Sequence, residues 1–170
     1  MPARGKLPTS PLSRRVGDER DETGGCAQES AELLSQATGS ATPVEQQRLH
    51  LAAGAPVVRT TRRRRNETRI FMHEEACLAA ARFPGLASGE AGNYRITCLA
   101  RRHGIDLGSA SEKVMVQEAG EEAAELFGIE PRTPLLRLER TVFSIDGLPL
   151  EWRLGLCLPG DGNIRVGETS

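Results

Sequence analysis

Arginine stands at positions 59, 62, 63, 64 and 65, in the stretch "RTTRRRRN" that closes with Asn66. Guanidinium groups at this density can clamp a carboxylate or phosphate with paired N–H donors. They can also track a nucleic-acid backbone, or stand as solvated strand charges that discourage edge-to-edge association. If residues 56–65 form a strand, successive side chains point to opposite faces. Arg62 and Arg64 then share one face, Arg63 and Arg65 the other, and one pair can line a cleft while the other is solvated or covered. Two carboxylates, Glu74 and Glu151, follow further along the chain. An internal repeat makes their positions equivalent.

The charge balance bears on which chemistry is open. The chain has 170 residues, with 22 Lys and Arg against 23 Asp and Glu and a formal net charge of −1. A protein that coats nucleic acid is usually strongly basic, and an aromatic share of 4% leaves little surface for stacking bases. The arginine run is therefore a local feature of a balanced chain. Hydrophobic residues make up 38%, enough for one domain with a proper core. Cys26, Cys77, Cys98 and Cys157 are scattered, without a CxxC or a histidine at ligand spacing, so neither a metal nor a cofactor is expected. Residues 1–25 lack the apolar segment of a signal peptide. The cysteines read as free thiols in a reducing cytoplasm. No run approaches the roughly 18 apolar residues of a membrane helix, and no membrane partner is expected.

Residues 1–30, rich in Pro, Gly, Ser and mixed charge, read as a disordered arm or linker. An ordered domain is expected over 31–170, where Ile164 and Val166 could end the chain in a short strand. Within it, "LHLAAGAPVVRTTRRRR" (49–65) lies over "FGIEPRTPLLRLERTVF" (127–143). Pro56 meets Pro134, Arg59 meets Arg137 and Arg62 meets Arg140; one extra residue in the first hairpin then sets Glu74 over Glu151. A helical segment precedes each proline, "TPVEQQRL" and "EAGEEAAELF", and a β-prone run precedes each helix, "AELLS" and "SEKVMVQ". The halves span about 31–76 and 111–157, each reading strand, helix, hairpin. The second hairpin turns at Asp146-Gly147; the first turns at "NETR", with no glycine. "EEACLAAARF" (74–83) is predicted as a helix or helical turn ended by Pro84-Gly85, and "YRITCLARRHGI" (94–105) as an amphipathic helix stopping at Gly104. The class is α+β with a mainly antiparallel sheet.

Three segments carry a family resemblance: "LHLAAGAPVVRTTRRRR" with its following Glu74, "GNYRITCLARRHGI", and "EEAAELFGIEPRTPLLRLERTVFSIDGLPLEWR". Together they resemble the UTRA domain, the effector-binding module of the HutC subfamily of GntR-type bacterial transcription regulators, over roughly residues 30 to 166. The resemblance implies a chorismate-lyase-like fold of two related halves sharing one sheet, with a small anionic metabolite, an organic acid or sugar phosphate, bound between them. It implies that Arg62 and Arg64 bind the effector and that Glu151 faces them, with Glu74 as a second wall or an ion-pair partner. Where the family often opens its central helix with Ser-Leu-Tyr, this chain has "GNYRIT", so the resemblance implies that Asn93 or Tyr94 replaces the small hydroxyl, and Tyr94 is expected among the ligand contacts; near Cys157 an aromatic that often follows the second Glu is replaced. The expected function is effector sensing without catalysis, in a homodimer. A chorismate-lyase-like enzyme acting on a small carboxylate is the alternative. Family members read DNA through an N-terminal winged helix that residues 1–30 do not resemble, so DNA contact is expected only in a relative that has one. Alanine at Arg62 or Arg64 is expected to abolish effector binding while leaving folding largely intact.

Overall fold

The computed structural model describes residues 31–88 and 94–160, together with the backbone of residues 12–15. Seven strands form one antiparallel sheet: β1 (Leu12–Arg15), β2 (Glu32–Ser40), β3 (Pro56–Arg65), β4 (Ile70–Ala79), β5 (Leu107–Glu118), β6 (Pro134–Ser144) and β7 (Pro149–Cys157). Three short helices accompany them: α1 (Pro43–Leu49), α2 (Ile96–Arg102) and α3 (Glu121–Phe127). The spatial order is β1-β5-β6-β7-β4-β3-β2. The repeated unit is thus β2-α1-β3-β4 in the first half and β5-α3-β6-β7 in the second. The halves are joined where the return strands of the two hairpins pair, from Met72↔Cys157 to Leu78↔Glu151.

Local chemistry sets the helix ends. Thr42 caps α1 by accepting from the Glu45 amide, and the Glu45 carboxylate reaches back to the Thr42 amide at 2.7 Å, with Pro43 in the first turn. α3 ends at Gly128, whose φ of +64° suits the left-handed cap. The first hairpin turns without glycine because the Asn66 side chain stands in for a backbone acceptor. Its Oδ1 accepts from the amides of Thr68 and Arg69 at 3.0 and 2.9 Å.

Two expectations are corrected. Residues 74–79 of "EEACLAAARF" are strand, and helical structure is confined to a single 3-10 turn at Ala80–Arg82. β4 lies between β3 and β7, so Ala76, Cys77, Leu78 and Ala79 are buried on both faces, and burial overrides the helical preference of an alanine-rich run. Residues 12–15, expected within a disordered arm, pair with Ser109–Glu112 at the sheet edge. Residues 1–11, 16–30 and 161–170 lie outside the described residues, and with them the strand expected at Ile164 and Val166.

The sheet is covered unequally. On one face α1 packs through Leu49 against Val57, Cys77 and Trp152, and α3 packs through Phe127 and Ala124 against Leu135 and Leu158. On the other, α2 and the connector before it lay Ile96, Leu99, Phe83, Leu86 and Tyr94 over Val58, Leu78, Val142 and Leu150.

Candidate functional site

Strand parity divides the arginines as the alternation requires. Val57 packs with Leu49 of α1, whereas Val58 packs with the α2 cluster, so the even-numbered residues of β3 face α2. Arg59 and Arg63 fall on the α1 face and are held there. Arg59 binds Glu45 through Nε and Nη2 at 2.6 and 2.7 Å, and Arg63 binds Glu32 at 2.7 and 3.0 Å. Arg65 is exposed at the strand end.

On the α2 face, Arg62 is fully buried, with a relative exposure of 0%. Its Nη1 donates to the Tyr94 main-chain oxygen at 2.9 Å, and its Cζ lies 4.8 Å from the centre of the Tyr94 ring, a cation–π arrangement. The Tyr94 hydroxyl donates to Glu151 Oε2 at 2.9 Å. Arg153 joins the two carboxylates, reaching Glu151 through Nη2 at 3.1 Å and Glu74 through Nη1 at 3.2 Å. Arg64 Nε closes on Glu74 Oε2 at 3.2 Å. The five residues expected from the sequence (Arg62, Arg64, Glu74, Tyr94 and Glu151) therefore come together in one group, which the strand pairing explains. Arg62 is the register partner of Glu74 across β3/β4, Glu74 is that of Gly155 across β4/β7, and Arg153 and Glu151 precede Gly155 at two-residue steps along β7. The group straddles the junction of the two halves.

Arg153 adds a member beyond the residues expected to bind the effector. The signal was present in its parity, two residues beyond Glu151 on the same strand. Arg140, the repeat equivalent of Arg62, takes a different course, pairing outward with Glu112 at 3.4 Å.

Burial grades through the group. Arg64 is the most open member, with 26% of its side chain exposed; Arg153 retains 11%, Glu74 and Glu151 almost none. Burial alone raises a carboxyl pKa, but here neighbouring cations outweigh it. Arg153, Arg64 and Arg62 hold Glu74 below the usual carboxylate range, and Arg153 and Arg62 do the same for Glu151. The Tyr94 phenol is pushed up, by burial first and then by the Glu151 charge. Buried arginine beside ionised carboxylate is costly to desolvate and contributes little to stability relative to apolar packing. Alanine at Arg62 would remove a fully buried cation from beside both carboxylates and leave a cavity against the Tyr94 ring, so the expectation that folding tolerates this change holds better for partly exposed Arg64.

A separate hollow of about 210 Å³ lies on the α1 face, lined by residues including Glu45, Arg59, Glu75, Cys77, Trp152 and Leu154. None of the five clustered residues lines it. Among the described residues no group of His, Cys, Asp and Glu could hold a metal ion, and no helix is long and apolar enough to cross a membrane. Of the four cysteines expected to be free thiols, Cys77 and Cys157 are buried and not disulfide-bonded. Cys98 on α2 is disulfide-bonded, which corrects that reading; sequence spacing carries no record of which thiols the fold brings together.

One antiparallel sheet built from two repeated strand–helix–hairpin units defines an α+β fold of two related halves. The chain belongs to the UTRA domain family, whose model matches residues 27–160. The ligand-binding domain of a protein described as a GntR-family transcriptional regulator from Bordetella bronchiseptica is similar at 25% identity and a TM-score of 0.73, covering 84% of this chain and 95% of that one. A GntR-family regulator from Enterococcus faecalis V583 shares the fold at 19% identity and a TM-score of 0.74, over 82% of this chain and 100% of that one. PhnF from Mycobacterium smegmatis shares it at 24% identity and 0.69, over 77% of this chain; the match spans 58% of PhnF. The comparison with curated proteins finds no match. Membership implies an effector-sensing regulatory role.

Proposed function

We propose that this chain senses a small anionic metabolite, an organic acid or sugar phosphate, through the group formed by Arg62, Arg64, Glu74 and Glu151, and that it does so without turning the ligand over. The observation that carries the reading is a buried arginine with a second, partly exposed arginine two residues outward, set at the junction of two repeated halves. A ligand bridging a junction has a direct means of altering how the halves sit together, as coupling between two sites requires. Arg64 at the rim would meet an anion first, and Arg62 and the carboxylates would fix its orientation by paired and charge-assisted hydrogen bonds. The proposed setting is a cytoplasmic homodimer of HutC type. DNA would be contacted through a winged helix in relatives that carry one.

A thermal-shift screen of organic acids and sugar phosphates tests this. One ligand class should raise the Tm in proportion to the logarithm of its concentration, and Arg64→Ala should remove that rise with the unliganded Tm nearly unchanged. A stabilising ligand whose effect survives Arg64→Ala would exclude this site, and release of pyruvate from chorismate would overturn the non-catalytic reading. Analytical ultracentrifugation checks the dimer, which a monomer at tens of micromolar would contradict.

A further inference from the structure

Tyr94 takes up the contacts that a ligand at this site would need. Its ring lies 4.8 Å from the Arg62 guanidinium, its main-chain oxygen accepts from Arg62 at 2.9 Å, and its hydroxyl donates to Glu151 at 2.9 Å. The side chain is buried at 6% exposure, within the same cluster as Val58, Leu78 and Ile96, so it is wedged between the sheet and α2. The polar ends of Arg62 and Glu151 are thus covered from inside the molecule, while Arg64 keeps its partial exposure at the rim.

We infer that Tyr94 is an internal occupant of the site, and that a ligand reaches Arg62 and Glu151 only by displacing its side chain. The inference rests on the effector-site reading above and deepens it in two respects. First, it narrows the ligand. What leaves Glu151 is an O–H donor, and a buried carboxylate deprived of a donor is penalised; the incoming anion must bring a hydroxyl of its own. The class is a hydroxyl-bearing organic anion, with the charged group on Arg64 and Arg62 and the hydroxyl on Glu151. Second, it makes Tyr94 a determinant of affinity. The apparent affinity is the intrinsic affinity multiplied by the fraction of molecules in which Tyr94 has left the site, and weakening its contacts raises affinity without any new contact to the ligand.

The chain contains one tyrosine, so 3-fluorotyrosine incorporation gives a single fluorine resonance that reports Tyr94 alone. Glycerol 3-phosphate is the probe, with inorganic phosphate as the anion lacking a carbon-borne hydroxyl. Glycerol 3-phosphate should shift that resonance in the unmutated protein, and calorimetry should show at least tenfold tighter binding to Tyr94→Ala. Tyr94→Phe keeps the packing and loses the bond to Glu151; it should bind several-fold tighter and serves if the alanine variant does not fold. Inorganic phosphate should gain less from either change. Equal affinity for the unmutated and variant proteins, including no binding to any of them, overturns the inference. Binding that Arg64→Ala abolishes while the resonance stays unmoved also overturns it, yet leaves the effector site standing. Binding that Arg64→Ala does not alter removes the site itself.

Discussion

Glu45 shows how much one side chain settles. Its carboxylate accepts from Arg59 Nε at 2.6 Å and Nη2 at 2.7 Å, and from the Thr42 amide at 2.7 Å. The Arg59 bonds are the largest influence on its pKa and outweigh burial, bringing it from 4.5 to about 2. A carboxyl depressed on folding stabilises the native state above its unfolded pKa, and the benefit disappears as pH falls through the folded value. The Tm should therefore fall between pH 4.5 and about 2. Glu45→Gln should destabilise the protein at neutral pH by roughly 2–3 kcal/mol and flatten the acid limb. An unchanged acid limb in circular-dichroism melts of that variant would show that other carboxylates dominate. Beside it, burial and then the Glu45 charge push the Cys77 thiol up to about 12. Cys77 should resist a thiol reagent at pH 8 until the protein is unfolded.

At the scale of elements, the two hairpins reach the same end by different turns. The second uses Gly147 at φ +77°, the Asp-Gly signal visible in the sequence. The first depends on Asn66, whose Oδ1 accepts from Thr68 N, Thr68 Oγ1 and Arg69 N. Because β3 carries Arg62 and Arg64 and β4 carries Glu74, this turn holds those three residues in register. Asn66→Ala should cost about 1–2 kcal/mol, read as a lower urea midpoint at unchanged m; no change in midpoint would mean that the strands fix the turn unaided. β5 has a comparable constraint at its irregular start. A Cβ on Gly108 would lie 2.5 Å from the Ser144 carbonyl oxygen, so Gly108→Ala should destabilise through forced backbone movement.

For the whole molecule the decisive feature is the β4–β7 junction, which makes one continuous sheet from two repeated units. Trp152, on β7 of the second half, packs against Leu49, Val57 and Cys77 of the first. Arg48 of α1 reaches Glu139 on β6 at 2.8 Å, and the Trp152 indole N–H donates to that same carboxylate at 3.0 Å. The halves share core and charge across the junction, so neither buries its apolar face alone. Unfolding should be a single transition. The fluorescence of Trp152, the chain's one tryptophan, should change at the same urea concentration as far-UV circular dichroism. Two separated midpoints would mean that each half folds independently.

The repeat, the α+β class and the alternating sides of the arginine run follow from the sequence, because they depend on local periodicity and because successive strand side chains must point to opposite faces. The parity of Arg62 and Arg64 needs nothing beyond β3 being a strand. Tertiary structure decided what those side chains meet. "EEACLA" became strand because its place between β3 and β7 buries Ala76–Ala79 on both faces. Cys98 became half of a disulfide because bonding between thiols depends on proximity in space. The resemblance placed Tyr94 among ligand contacts; the fold packed its ring against Arg62 and its hydroxyl on Glu151. Periodicity is a property of neighbours in the chain, whereas occupancy of a site depends on groups 32 and 57 residues apart, and only folding brings those together.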